Sequence, residues 1–88
     1  MLSPGWCPRA AEGLRWRLGS GAFFASRPGD ARTHVLNRTG IVLLELADGQ
    51  CTVDEMVEIL QDAFDLERAP DAEVRHFLAC AQRAGLVS

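Results

Sequence analysis

The sequence predicts an α+β fold, with a three-stranded antiparallel sheet followed by three helices in a winged helix-turn-helix-like arrangement. Short β-prone runs separated by turn residues fill residues 14–36. After residue 38, apolar residues recur at helical spacing. The two patterns meet at Asn37, a residue type that favours helix N-caps. A chain of 88 residues is long enough for one small domain with a single core.

The first residues are expected to form an arm outside this domain. Pro4 and Pro8 disfavour a regular helix or a central strand. Trp6 is the strongest apolar anchor of the segment. We therefore predict a flexible N-terminal arm over residues 1–12 and one folded domain over residues 13–88.

Three strands are predicted to form an antiparallel meander. A Gly-Ser-Gly turn and a Pro-Gly-Asp turn separate the β-prone runs. The predicted strands are residues 14–18, 22–26 and 32–36. In the first strand, Leu14, Trp16 and Leu18 alternate with arginines, so we expect these three side chains to face the core. A sheet of this size needs helices to cover one face.

Three helices are predicted in the second half. The first, over residues 38–48, is apolar on more than one side and is expected to be the most buried. The second begins at Thr52, because Thr52 and Glu55 match the S/T-x-x-E capping box. The third is predicted to be capped by Asp71 and to end at Gly85. The predicted core consists of Leu36, Ile41, Leu44, Val57, Leu60 and Leu78.

Charge is divided unevenly along the chain. Residues 1–40 contain six arginines and two acids, a net charge of +4. Residues 41–88 contain three arginines and ten acids, a net charge of −7, and the two halves sum to −3. Nucleic-acid binding requires a basic surface that displaces counterions. The acidic helical half therefore argues against a nucleic-acid partner.

The cysteine count and the apolar runs indicate the compartment. Cys7, Cys51 and Cys80 include no CxxC pair, which predicts free thiols in a reducing compartment. The N-terminal residues lack the apolar segment of a secretory signal. The longest apolar run, residues 41–44, is far shorter than the roughly 20 residues that cross a bilayer. We predict a cytoplasmic protein that does not associate with membranes.

No catalytic, metal or cofactor site is predicted. Neither His34 nor His76 lies in a recognisable catalytic motif, and there is no Gly-rich phosphate loop. His76 and Cys80 are four residues apart, a spacing that can present two metal ligands, with Cys51 as a conceivable third. A single pair without a second cluster is a weak metal signal. We expect a protein that is not an enzyme and that holds no cofactor.

Five landmarks of the chain occur together in a characteristic order. They are Leu36-Asn37 before a buried helix, the Asp48-Gly49 stop, the Thr52-Val53-Asp54-Glu55 cap, Phe77-Leu78 in the last helix, and the closing Gly85-Leu86-Val87. With these landmarks the chain resembles, over residues 14–88, the PqqD-like family of small winged-helix modules. These modules are also called RiPP precursor-peptide recognition elements. The resemblance implies a non-catalytic chaperone that binds the leader of a ribosomally synthesised precursor peptide. It would present that peptide to a modifying enzyme, often a radical SAM enzyme.

The resemblance also implies where the peptide binds. In that family the leader adds a strand to the edge of the third strand and packs against the third helix. An open strand edge offers unpaired N–H and C=O groups, and nearby apolar side chains select among peptides. Carried onto this sequence, the peptide-binding residues are Arg32, Thr33, His34, Val35, Leu36, Glu73, Phe77, Cys80, Ala81 and Ala84.

Two other functions are compatible with the same architecture. A winged-helix DNA-binding protein would place a helix in the major groove, although Asp71 and Glu73 open the third helix where phosphates would approach. An adaptor would recognise a kinase-like enzyme and no peptide. The acids of the second helix are interpreted as a solvated face, or as a docking surface for a basic partner. The expected partners are a precursor peptide and a modifying enzyme, either a radical SAM or other maturase or a kinase-like protein, and a homodimer is left open.

Overall fold

The computed structural model describes residues 5–88. One antiparallel sheet, in the order β1-β2-β3, consists of β1 (Arg15–Gly19), β2 (Ala22–Ser26) and β3 (His34–Leu36). Three helices follow: α1 (Arg38–Leu46), α2 (Val53–Ala63) and α3 (Asp71–Arg83). The fold class and the order of elements are confirmed. Among the described helices, none has the length and apolar character needed to cross a membrane.

Two elements are shorter than predicted, each for a local reason. β3 begins at His34, because the backbone N–H of Arg32 donates to the Asp30 carboxylate at 2.9 Å and keeps that residue in the turn. α1 ends before Ala47, whose backbone leaves the helical region at ψ 72°. The carbonyl of Ala47 accepts a hydrogen bond from the N–H of Ala10 at 2.8 Å.

The hairpin between β1 and β2 sets the direction of every hydrogen bond in the sheet. Its turn residues, Ser20 and Gly21, have φ values of 49° and 80°, as a two-residue type I′ turn requires. Gly19 lies opposite Ala22. In such a hairpin the residues that flank the turn exchange both hydrogen bonds, and the bonding direction then alternates along each strand. Every second residue of β2, starting with Phe23, therefore directs its backbone groups toward β3.

The first strand extends beyond the helical layer. Trp16 and Leu18 lie opposite Ala25 and Phe23, so they share the face of the sheet that carries the buried Ala25. They are nevertheless 37% and 66% exposed, so the prediction that they are part of the core is wrong. Leu14, just before β1, is partly buried and packs against the core. β1 packs mainly on β2. Side-chain alternation identifies the inner face of the strand without showing how far the helices extend over it.

The core lies between the helices and the inner face of β2 and β3. All predicted core residues in the helices are buried: Ile41, Leu44, Val57, Leu60 and Leu78. Leu36 is half-buried and packs against this core. Leu43, Met56 and Val74 are completely buried as well. The first helix thus supplies adjacent core residues, as its apolar run predicted.

The first two helices begin with side-chain caps. Asn37 caps α1, where its Oδ1 accepts from the N–H of Gly40 at 2.8 Å. At the start of α2 the Thr52 hydroxyl accepts from the N–H of Glu55 at 3.1 Å. The Glu55 carboxylate accepts in return from the N–H of Thr52 at 2.9 Å. The predicted capping box is confirmed.

The prediction that Asp71 caps the third helix is wrong. Pro70 is the N-cap of α3 and makes no side-chain capping bond, while Asp71 is the first helical residue. Its carboxylate accepts from Nε of Arg75 at 2.9 Å, one helical turn on. Arg75 also donates to the Asp54 carboxylate at 2.7 Å. A carboxylate in the first turn of a helix is stabilised by the helix dipole and by an ion pair with a cation one turn on. These two interactions here take the place of a side-chain capping bond.

Part of the predicted N-terminal arm lies against the helical half. Pro8 is buried, and the N–H of Arg9 donates to the carbonyl of Ser88 at 3.0 Å. The N–H of Ala11 donates to the carbonyl of Leu86 at 2.8 Å. Residues 8–11 thus join the end of the chain to the end of α1. The first four residues of the arm lie outside the described residues, and the boundary at residue 12 stays a prediction.

Thr52→Ala should lower the free energy of unfolding by about 1 kcal/mol, the usual cost of losing an N-cap. Thr52→Ser is the matched control, since it keeps the accepting hydroxyl and should be nearly neutral. Urea denaturation measures both. Equal loss in the two variants would show that the capping hydrogen bond is not the stabilising feature.

Leu44→Ala should lower the free energy of unfolding by roughly 2–5 kcal/mol, because it leaves a cavity in the core. Leu18→Ala removes the same atoms from an exposed site and should change stability by about 0.5 kcal/mol or less. Chemical denaturation of both variants tests the placement of α1. A neutral Leu44→Ala result would contradict a central position for this helix.

Candidate functional site: a groove between the third strand and the third helix

The sheet has two edge strands that differ in charge. β1 carries Arg15 and Arg17, both exposed, and charged side chains are a common means of protecting an edge from pairing with other strands. β3 carries no arginine, lysine or acid between His34 and Leu36. The edge of β3 is therefore the one open to an additional strand.

Val35 directs its backbone groups away from the sheet. His34 lies opposite Ala25 and Leu36 lies opposite Phe23. Those two β2 residues direct their backbone groups toward β3, so His34 and Leu36 form hydrogen bonds with β2. Because the bonding direction alternates along a strand, the N–H and C=O of Val35 between them face outward. The side chain of Val35 is 67% exposed. Val35 is thus the centre of the open edge.

A groove of about 650 Å³ lies between this edge and α3. Its helical wall consists of residues spaced three and four apart, which lie on one face of a helix. Its other wall is β3 and the start of α1. The lining residues are Thr33, His34, Val35, Leu36, Asn37, Thr39, Glu73, His76, Phe77, Cys80, Ala81, Ala84 and Leu86.

The structure brings together every predicted peptide-binding residue except Arg32. Arg32 is exposed, and its Nε lies 3.4 Å from the Asp30 carboxylate in the turn before β3. Sequence reasoning missed Asn37, Thr39, His76 and Leu86. His76 had a signal, because it shares its helical face with residues already chosen. That these residues bind a peptide stays a prediction.

Contacts at its middle and beyond its C-terminal end show that α3 runs antiparallel to β3. A Cβ built on Gly40, in the first turn of α1 after β3, would lie 2.8 Å from Cε1 of Phe77. The aromatic ring therefore packs at the C-terminal end of β3, where only glycine leaves room for it. At the other end the guanidinium of Arg27 donates to the carbonyl of Gly85 at 3.2 Å. Consequently Glu73 lies toward the C-terminal end of β3, and Ala84 toward its N-terminal end.

Asp30 connects the turn before β3 to the end of α3. Its carboxylate accepts from the backbone N–H of Arg32 at 2.9 Å and lies 3.6 Å from Nε of Arg27. The backbone hydrogen bond, aided by the charges of both arginines, holds the pKa of Asp30 below its ordinary value despite partial burial. Because Arg27 also bonds to Gly85, this network fixes β3 relative to α3.

The groove contains polar side chains among its apolar ones. Nε2 of His34 is buried without a hydrogen-bond partner. Sγ of Cys80 lies 3.7 Å from Nε2 of His76 and 3.4 Å from the guanidinium of Arg83. Among the described residues, no cluster of three or more His, Cys, Asp and Glu side chains is arranged to hold a metal ion.

The third cysteine considered above lies in a different environment. Burial, followed by the nearby carboxylates of Glu55 and Asp48, raises the pKa of the Cys51 thiol. A thiol ligates metals and attacks electrophiles as the thiolate. Cys51 therefore stays protonated at neutral pH and is poorly suited to either role.

Family comparison identifies the group to which this arrangement belongs. The family model described as coenzyme PQQ synthesis protein D (PqqD) matches residues 27–87. The chain belongs to the PqqD family. The match contains β3, all three helices and every lining residue of the groove. Searches among curated proteins and among solved structures gave no match. Membership implies an accessory role in PQQ or RiPP biosynthesis as a peptide-binding partner that works with a biosynthetic enzyme.

Asp30→Asn should lower the free energy of unfolding at pH 7, because the ionised carboxylate is the form that the turn stabilises. A carboxylate whose pKa is lowered by folding stabilises the protein above the ordinary aspartate pKa. This stabilisation is lost as the pH falls and the carboxylate is protonated. The difference from wild type should thus shrink as the pH falls below about 4. Urea denaturation at pH 7 and pH 3 measures it.

Asp62→Asn is the control for this pH series, because Asp62 is exposed on α2 and takes no part in the ion pairs of the turn. It should be nearly neutral at both pH values. A deficit of Asp30→Asn that is the same at pH 7 and pH 3 would contradict the electrostatic role of Asp30.

Proposed function

We propose that this PqqD-family protein is a non-catalytic peptide chaperone. It captures the leader of a ribosomally synthesised precursor peptide by β-strand addition and presents it to a modifying enzyme. The observation that carries the proposal is the outward-facing backbone of Val35 beside the groove. An extended peptide would pair with these groups and become the fourth strand of the sheet.

In strand addition, the β3 wall of the groove would bind the main chain of the peptide, and the α3 wall would contact its side chains. Main-chain hydrogen bonds to Val35 fix the register of the peptide and do not depend on its sequence. Side chains alternate along a strand, so every second peptide side chain would enter the groove and contact Leu36, Phe77 and Ala81. The remaining side chains would face solvent on the outer side of the sheet. They would stay accessible to an enzyme while the peptide is held.

The groove supports binding better than catalysis. Cys80 is its nucleophilic side chain and His76 lies beside it. Nucleophilic catalysis requires a base that a third group orients, and within residues 5–88 no carboxylate is hydrogen-bonded to His76. We therefore assign the chemical step to the partner enzyme.

The partner enzyme would contact a different surface. α2 exposes the acids Asp54, Glu55, Glu58 and Asp62 around Ile59, which is 41% exposed. An apolar centre with a charged rim suits a protein interface, and here it would match a basic surface on a radical SAM enzyme, another maturase or a kinase-like protein. The described cysteines are free thiols, which fits assembly in the cytoplasm.

Val35→Pro tests the strand addition directly. Proline removes the outward N–H and leaves the β2–β3 hydrogen bonds intact, so the peptide should bind at least about tenfold more weakly. Val35→Ala keeps the N–H and should bind within a few-fold of wild type. Fluorescence anisotropy with a labelled leader from any precursor peptide encoded near the gene measures both, and circular dichroism confirms the fold.

Two outcomes would contradict the proposal. Unchanged peptide binding by a folded Val35→Pro variant would place the site away from this edge. Binding of mixed-sequence duplex DNA that weakens steeply with salt, without any response to the leader, would instead favour a winged-helix DNA-binding protein. The acids in the first turn of α3, Asp71 and Glu73, oppose that alternative.

A further inference from the structure

We propose that the groove reads the order of charges in its peptide, an inference that rests on the proposed function. The preferred peptide carries a cationic side chain toward its N-terminus, an apolar anchor in the middle and an acidic side chain toward its C-terminus. All three side chains lie on the face that enters the groove. The two ends of the groove carry opposite charge, which is the basis of this inference.

The direction of the peptide follows from the sheet. Both existing pairings are antiparallel, and antiparallel pairing is slightly more stable per residue than parallel pairing. A peptide antiparallel to β3 places its N-terminal end at the C-terminal end of β3. That is the end where Phe77 packs against Gly40 and where Glu73 lines the groove.

The acidic end of the groove is defined by Glu73. Its neighbour Asp71 is paired with Arg75, whereas in the described part of the chain Glu73 forms no ion pair. The N-terminus of α3 contributes a partial positive charge of about one half. A full carboxylate charge exceeds it, so a cationic peptide side chain is favoured here.

The opposite end of the groove is cationic, because Arg83 lies near the turn in which Arg27 and Arg32 outnumber Asp30. The guanidinium of Arg83 contacts Sγ of Cys80, a lining residue, and pairs with no carboxylate in residues 5–88. Nε2 of His34 is buried without a partner, and leaving a buried polar atom unsatisfied is unfavourable. A peptide carboxylate at this end would be attracted by the Arg83 guanidinium, and His34 in its Nε2–H tautomer would supply a further donor.

Helix and strand dimensions give the spacing of the three peptide side chains. From Phe77 back to Glu73 the helix rises about 6 Å, and from Phe77 on to Arg83 about 9 Å. Successive groove-facing side chains of a strand are roughly 6.7 Å apart. The cation should therefore lie two residues before the apolar anchor, and the acid two to four residues after it.

A random peptide display library, selected on the folded full-length protein, tests the inference without assuming a sequence. Peptides enriched on wild type should show the predicted order of charges. Glu73→Lys should replace the preferred cation with an acid. Glu58→Lys makes the same charge change on the exposed face of α2 and should select the wild-type pattern. In a selected peptide, exchanging the cation for glutamate should weaken binding to wild type about three- to tenfold.

Each other outcome overturns a defined part of the argument. If the enriched peptides show no charge preference, or show one that Glu73→Lys does not change, the proposed recognition of charge order is refuted. Peptide binding by strand addition would still stand. Enrichment of the reverse order, with the acid first, refutes the antiparallel direction. No enrichment on a folded protein refutes the proposed function and this inference together.

Discussion

The site depends on how β3 is held against α3, because a strand of three residues has little pairing energy of its own. Two contacts fix it. At one end the ring of Phe77 occupies the space that a side chain on Gly40 would need. At the other, Arg27 joins Gly85 to the Asp30 turn. These contacts lie on either side of β3 and set the position of Val35 relative to the helical wall.

The two edges of the sheet show how such a small domain can expose one strand safely. An unpaired edge invites association with any extended chain. β1 carries arginines on its exposed face, and Arg17 lies over the ring of Phe24 at 5.2 Å from the centroid. β3 has no charged residue, but Val35 alone among its three residues has outward-facing backbone groups. The groove wall formed by α3 also limits which chains can approach this edge. Under the proposed function, selectivity among peptides would therefore come from the groove rather than from the edge itself.

The sequence was sufficient for the elements and most of the groove, and its failures have physical causes. The Thr52–Glu55 capping box and the apolar run of α1 are local signals, so they were read correctly. Trp16 was misplaced because its burial depends on where the helices stop, which is a tertiary property. Asp71 was misassigned because an ion pair with Arg75 competes with capping at the same position. The burial of His34 Nε2 had no local signal at all.

The proposed strand addition would couple peptide binding to the stability of the domain. A ligand that binds only the folded state at a hundred times its Kd adds about 2.7 kcal/mol to the free energy of unfolding. That is comparable to the loss expected from truncating a buried leucine, and large beside the total stability of a small domain. Under the proposed function, the added strand would also complete the hydrogen bonding of Val35. The peptide would then be a structural element of the sheet as well as its ligand, and it would raise the stability of a variant with a loosened core.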